Sequence, residues 1–409
     1  MKHLVLLGDG MADFPLDELG GKTPIAAANT PAMDDAARLG ITGLFMPIPD
    51  AFPPGSDIRN LSVFGYDPHE TFTGRAPLEA VNQNISIGPD QLVFRCNLVT
   101  LENKRMKDFS ADHISSEEAA ELIQAINDSL GQDGLRFYPG VGYRHLLLLD
   151  VAPETKSLYA ALQCTPPHDI SDQEYEPHLP KGDHNESVIG LMEKAQEVLR
   201  DHSVNQKRIL AGKLPATSIW LWGQGGAPSM QTYAQRFDVS GAVISAVDLV
   251  NGIGKSAGLE IVKVQGATGY VDTNYAGKVE AALNALETVD FVYLHVEAPD
   301  EAAHEGDTAL KIKAIEDFDA LVVKPCMDFA KQRGDCRIVI GPDHITSIES
   351  RTHAGGPVPF ILYGSGITPN DRACYSEEEA AKAGVLFPDG HTLIPTMLTE
   401  KTVAFLPQS

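Results

Sequence analysis

The sequence predicts an α/β protein with a largely parallel central sheet flanked by helices and a small α+β domain inserted into it. Three observations carry this. Short apolar runs of strand length alternate with amphipathic segments of helical period. Three of the runs lead into an aspartate, at Asp9, Asp300 and Asp343, and in such sheets ligands gather at the carboxyl ends of strands. The stretch from about 87 to 185 breaks the cadence and ends in the Pro/His/Asp-rich "CTPPHDISDQEYEPHLPKGDHN". The expected division is a core of 1–86 and 186–409, with 87–185 as the insert.

The elements follow in order. "KHLVLLGDG" reads as a buried strand closing on Asp-Gly, followed by the helical "TPAMDDAARLG". Inside the insert, "LVFRCNLVTLENKRMKDFSADHISSEEAAELIQAINDSLG" and "LRFYPGVGYRHLLLLD" supply strands and a helix. The core resumes with strand and helix in "GAVISAVDLVNGIGKSAG", a helix in "VEAALNALETV" and a strand in "DFVYLHVEAPD". "LKIKAIEDFDALVVKPCMDFAKQRG" reads as one long amphipathic helix, and "CRIVIGPDH" and "VPFILYGSG" as the last strands.

A chain of 409 residues, 43% hydrophobic and 22% charged, can bury a large core. Its net charge of −24 opposes a nucleic-acid partner, and an anionic substrate would need local Arg, Lys or metal ions. Leu4–Leu7 is too short for a signal-peptide core, and no run approaches the length of a membrane span. The five cysteines are scattered and form no CxxC pair, so reduced thiols in a cytoplasmic protein are expected.

Several residues could carry chemistry. Asp300 and His304 in "PDEAAH" are four apart, one helical face, and could chelate a cation; an N-capping Asp beside a surface His is the alternative. Asp343 and His344 in "GPDHIT" follow a strand, where an Asx-turn would also place them. His353 lies in a Gly/Pro loop, and Asp9 ends the first strand. All fall at the expected carboxyl edge of one sheet and offer the Asp and His ligands that Mn2+ and Zn2+ accept. "AFPPGSDIRNLSVFGYDP" adds Ser56 and Ser62, both readable as turn or cap residues. "GIGKS" lacks the earlier glycine of a P-loop, because position 249 is Leu, and "GQGGAP" reads as a loop.

Taken together, "DGMAD", "LGGKTPIAAANTPAMD", "PPGSD", "GYDPHETFTGRAPLEA", "PDEAAH", "PDH" and "THAGGPVPFILYG" resemble the cofactor-independent phosphoglycerate mutases. The likeness is to the shorter archaeal-type branch of the alkaline phosphatase superfamily. It runs from Met1 to about Leu398 and includes "FYPGVGYRHLLL" and "ATGYVDTNY". The resemblance implies an alkaline phosphatase-like core and two divalent metal ions, Mn2+ foremost, with Zn2+, Mg2+ or Co2+ as alternatives. It implies that Ser56 is the serine that becomes phosphorylated. Asp9, Ser56, Asp343 and His344 would bind one ion, and Asp300, His304 and His353 the other. The substrate would be a small phosphorylated metabolite.

Substrate-side candidates are Arg95, Arg144 and His145 in the insert and Lys255 in the core, with Arg as the natural fork for carboxylate or phosphate. His145, His168 and Asp169 are candidates for acid–base work on the substrate hydroxyls. Asn60 stands where many of these mutases have histidine, and "GQGGAP" lacks the expected basic residues. Both features resemble a bacterial subgroup proposed to be homoserine kinases. The expected activity is interconversion of 2- and 3-phosphoglycerate, with a homoserine kinase as the alternative.

Overall fold

A computed structural model describes residues 1–48 and 56–404, with only the backbone of Ser56. The chain divides into two units, Met1–Phe72 with Met230–Ser409, and Thr73–Ser229. The second is longer at both ends than the expected 87–185. The strands begin with β1 (Lys2–Gly8), β2 (Ile41–Phe45), β3 (Gln91–Glu102), β4 (Arg105–Asp108) and β5 (Leu135–Val141). They continue with β6 (Arg144–Asp150), β7 (Ser218–Gly225), β8 (Gly241–Ile244), β9 (Glu260–Ile261) and β10 (Phe291–Val296). The last are β11 (Cys336–Gly341), β12 (Ile345–Ser347), β13 (Thr352–Ala354), β14 (Val358–Gly364) and β15 (Leu386–Phe387).

The first unit holds an eight-stranded sheet in the order β15-β2-β14-β11-β1-β10-β8-β9. β11, β1, β10, β8 and β9 run parallel, while β14 is antiparallel to both β11 and β2. β1 lies between β10 and β11, Leu7 facing His295 on one side and Gly341 on the other. The central strands of this set are buried on both faces and are mostly apolar rather than alternating, and Leu4, Val5 and Leu6 of β1 are fully buried. The carboxyl ends of three adjacent parallel strands therefore deliver Asp9, Asp300 and Asp343 to one place.

The segment expected as one long helix is interrupted. Helix Thr308–Phe318 passes through a π turn at Asp319–Val323 before resuming at Lys324–Arg333. Pro325 has no N–H to donate to the carbonyl one turn back, so the ladder changes register there. The buried Asp319 uses that turn to accept hydrogen bonds from Ala32 and Met33 N–H at 3.1 and 2.7 Å. These are orphan donors of the first turn of helix Pro31–Leu39.

The second unit is an antiparallel sheet with β3 at its centre, paired to β4, β6 and β7, and β5 beyond β6. Helices Ser116–Leu130 and Asn185–Arg200 share its core with Leu122, Ile126, Phe94, Trp220 and Met192. The Ser115/Glu118 capping box starts the first of them. β7 explains the wider boundary: "SIWLWGQG" pairs with β3 and belongs to this sheet. Gly223–Gly225, expected as loop, end that strand, with Gly225 opposite Val93. Among the described residues, no helix is long and apolar enough to cross a membrane.

Candidate metal centre

Asp9 follows β1 directly, its backbone N–H bonded to Val296 O of β10 at 2.9 Å. Gly10 then turns the chain at φ +58°, a conformation that favours glycine. A Cβ there would lie 2.3 Å from Asp300 Oδ1 and 2.5 Å from Thr346 Oγ, so glycine also clears space for the cluster. Asp300 and His304 lie on helix Ala298–Glu305, as their spacing predicts. Asp343 and His344 lie between β11 and β12, and His353 is on β13, paired with Thr346 of β12.

Two groups of donors converge: Asp9, Asp343 and His344, and Asp300, His344 and His353. Within each group one ligand atom per residue lies within 4.8 Å of the others. His344 Nε2 is 3.0 Å from Asp9 Oδ1 and 3.5 Å from Asp343 Oδ2. His353 Nε2 is 3.5 Å from Asp300 Oδ1, and His304 Nε2 is 3.2 Å from Asp300 Oδ2. His304 and His353 approach each other Nε2 to Nε2 at 3.1 Å. The structure thus brings together six of the seven expected ligands. Ser56 starts helix Ser56–Val63, and its side chain lies outside the described residues.

The donor set suits a divalent cation. His304 Nδ1 meets Arg351 O at 3.0 Å, and a carbonyl only accepts, so Nδ1 carries a proton and Nε2 turns toward Asp300 and His353. His344 Nδ1 is held at 2.9 Å by Thr346 Oγ, which also donates to Asp300 Oδ1, leaving His344 Nε2 to face two carboxylates. Imidazole lone pairs directed at carboxylate oxygens require positive charge between them, a proton or a metal ion.

The charge balance agrees. Burial and the charge of Asp9 push the Asp343 carboxyl up to about 7. Asp9 is pushed up by burial and Asp300, yet hydrogen bonds from His295 and His344 prevail and hold it low. The hydrogen bond to Asp300 raises His304 to about 9. Three carboxylates this buried call for cations beyond the histidines.

Supporting groups surround the ligands. The fully buried His295 puts Nε2 2.9 Å from Asp9 Oδ2, and its Nδ1 is 3.2 Å from Ser245 Oγ. Asn60 Nδ2 donates to Asp343 Oδ2 at 3.1 Å and so braces a candidate ligand. Lys311 Nζ, fully buried, reaches Ala12 O, Asp13 Oδ2 and Thr346 O at 3.1, 3.0 and 2.7 Å, tying the β1 loop to β12.

The family model described as 2,3-bisphosphoglycerate-independent phosphoglycerate mutase matches residues 37–205. A Methanosarcina barkeri protein named 2,3-bisphosphoglycerate-independent phosphoglycerate mutase is 51% identical, covering 94% of this chain and 96% of its own. The chain belongs to this mutase family. The solved structure of a Pyrococcus horikoshii protein, 31% identical, superposes with a TM-score of 0.82 over 99% of this chain and 98% of its own. A cofactor-independent phosphoglycerate mutase from Thermoplasma acidophilum shares the fold at 24% identity, with a TM-score of 0.66 over 98% and 100% of the two chains.

Of the substrate-side candidates, Arg95, Arg144 and His145 belong to the unit Thr73–Ser229 and Lys255 to the other. Arg95 of β3 is buried, paired to Glu79 Oε2 at 3.0 Å, with its guanidinium 4.3 Å from the Trp222 ring centre. His145 of β6 is buried, and its Nδ1 accepts from Gly140 N–H at 3.0 Å. Arg144 is exposed beside Tyr143. Lys255 is half-buried on helix Asp248–Ser256, so "GIGKS" is helical and cannot be a phosphate loop. His168 and Asp169 lie together in the 3-10 turn Pro167–Ile170.

His295, Thr346, Ser245 and Lys311 are not among the residues expected from sequence. His295 stands inside the apolar run "FVYLHV", and a polar residue in a strand buried on both faces was the available signal. "DHIT" offered another, because Thr346 is two residues from His344 at the same strand end.

Proposed function

We propose that this protein interconverts 2-phosphoglycerate and 3-phosphoglycerate through a phosphoserine intermediate at Ser56. The convergence of two donor groups that share His344, at the carboxyl ends of three adjacent strands, carries the reading. Asp9, Asp343, His344 and Ser56 would hold one divalent ion, Mn2+ first, and Asp300, His304 and His353 a second. When bound, such ions lower the pKa of a ligated hydroxyl and neutralise phosphoryl oxygens. Ser56 Oγ would lose its proton and form a bond to phosphorus as the substrate's bridging P–O bond breaks. The departing substrate oxygen would keep the electron pair and take up a proton. The glycerate's other hydroxyl then attacks the phosphoserine, loses its proton and frees Ser56.

Arg144, His145, Arg95 and Lys255 are proposed for the substrate side. Arg95 would act through its pairing with Glu79 and Trp222, whereas exposed Arg144 could reach a carboxylate directly. His145, His168 and Asp169 are proposed for proton transfer. The protein is read as cytoplasmic, in keeping with its five free cysteines.

Relatives from Methanosarcina and other archaea at 46–51% identity carry the mutase name, which favours this reading over the homoserine kinase alternative. The test is Mn2+-loaded protein with 3-phosphoglycerate in an enolase-coupled assay, beside homoserine plus ATP. Turnover only in the second tube would refute the mutase. Turnover that survives Ser56→Ala would refute the phosphoserine route.

A further inference from the structure

Arg59 has no role so far, and its surroundings are unusual. It lies on helix Ser56–Val63 and is 0% exposed. Its one hydrogen bond among the described residues runs from Nη2 to Ala354 O at 3.3 Å, while Nε and Nη1 have no partner. No ion pair of Arg59 is found among the described residues. A guanidinium cannot shed its proton, so burial without a partner costs several kcal/mol unless something anionic faces it.

The location says what that could be. Ala354 adjoins His353, so Nη2 is anchored beside the second donor group. The next residue, Asn60, is bonded to Asp343 of the first group. Burial lowers the Arg59 pKa, and the charges of Asp343, Asp300 and Asp9 offset that, which places the guanidinium in the field of both groups. With cations bound, those carboxylates are neutralised, and the orphan donors are left for another anion.

We propose that Arg59 binds the phosphoryl group in transfer, its free nitrogens donating to the oxygens of a phosphate ester held between the two donor groups. The inference rests on the phosphoryl-transfer reading above. It makes Arg59 a phosphoryl-binding residue and not a metal ligand, so its loss should spare the metals. Charge-assisted bonds from a desolvated guanidinium are the strong kind, and losing them should weaken phosphate binding about tenfold or more.

The experiment titrates inorganic phosphate into Mn2+-loaded wild type and Arg59→Met by calorimetry, with manganese content measured on both. The expected result is unchanged manganese content, unchanged circular dichroism and a phosphate Kd raised about tenfold or more. Should Arg59→Met fail to fold, Arg59→Gln, which keeps a donor toward Ala354 O, is read in the same way. Wild-type affinity in the folded, metal-loaded variant overturns the inference, as does a wild type that binds no phosphate. Wild type that binds phosphate through Arg59 but does not interconvert phosphoglycerates would sink the mutase reading alone.

Discussion

His295 Nε2 lies 2.9 Å from Asp9 Oδ2, while the other oxygen, Oδ1, faces His344 Nε2 at 3.0 Å. The two oxygens of one carboxylate thus have separate duties. Oδ2 is held by a buried imidazole whose far nitrogen meets Ser245 Oγ at 3.2 Å, and Oδ1 is left for a cation. Val247 N–H donates to Ser245 Oγ at 3.0 Å, so the serine hydroxyl hydrogen is free to donate to Nδ1. That places the His295 proton on Nε2, where it donates to Asp9.

Replacing His295 with Ala should therefore lower Mn2+ affinity about 10–100-fold, the usual cost of losing the group that orients a ligand. Ser245→Ala should have a smaller effect in the same direction. Calorimetric Mn2+ titration of the folded variants checks this. Wild-type affinity in His295→Ala would show that Asp9 orients itself.

Gly10→Ala tests how tightly the cluster is built. The new Cβ must sit at φ +58° and 2.3 Å from Asp300 Oδ1, so Asp300 or the turn has to move. The left-handed conformation alone costs about 1 kcal/mol. The larger expected effect is on metal: Asp300 belongs to the group with His344 and His353, and Mn2+ binding should weaken or lose stoichiometry. Electron paramagnetic resonance of free Mn2+ gives the readout. Full stoichiometry at wild-type affinity would mean the turn adapts at no cost to the ligands.

Lys311 and Asp13 form a fully buried pair, Nζ to Oδ2 at 3.0 Å. Lys311→Met strands the Asp13 charge and should destabilise by about 3–5 kcal/mol, as breaking one side of a buried pair does. Lys311→Met with Asp13→Asn should recover part of that, since no buried charge remains. Urea denaturation of both variants decides it. A double variant no more stable than the single would assign the loss to the lysine's bonds to Ala12 O and Thr346 O instead.

These residues show what the sequence could disclose. Asp9 and Asp343 were legible because each ends an apolar run, and Asp300 with His304 because their spacing fits one helix face. Which strands are neighbours was not written locally, so only the fold shows that β1 lies between β10 and β11. Lys311 hides in an amphipathic helix, where a lysine ordinarily marks the solvent face. The unit division differs from the expected one at β7, which carries the same buried-strand pattern as the core strands, and pattern does not name its partner. The π turn at Asp319–Val323 was hinted at by Pro325, but the amphipathic period masked it.

Acid should destabilise the fold through two buried histidines that are not candidate metal ligands. Burial lowers His145 from 6.5 to about 3. Burial, together with the charge of Arg337, lowers His3 to about 4. Both are neutral in the folded protein, and the unfolded chain takes up protons first. Their contribution is complete above about 6.5 and is lost as pH falls toward 4 and then 3. For one such group the slope approaches about 1.4 kcal/mol per pH unit within that window. His145→Asn keeps an acceptor for Gly140 N–H but cannot titrate, so its stability should fall less steeply than wild type between pH 6 and about 4. Urea midpoints in this range are the measurement, with the carboxylates common to both proteins. Parallel pH profiles would mean that His145 is protonated as readily in the folded protein as in the unfolded chain.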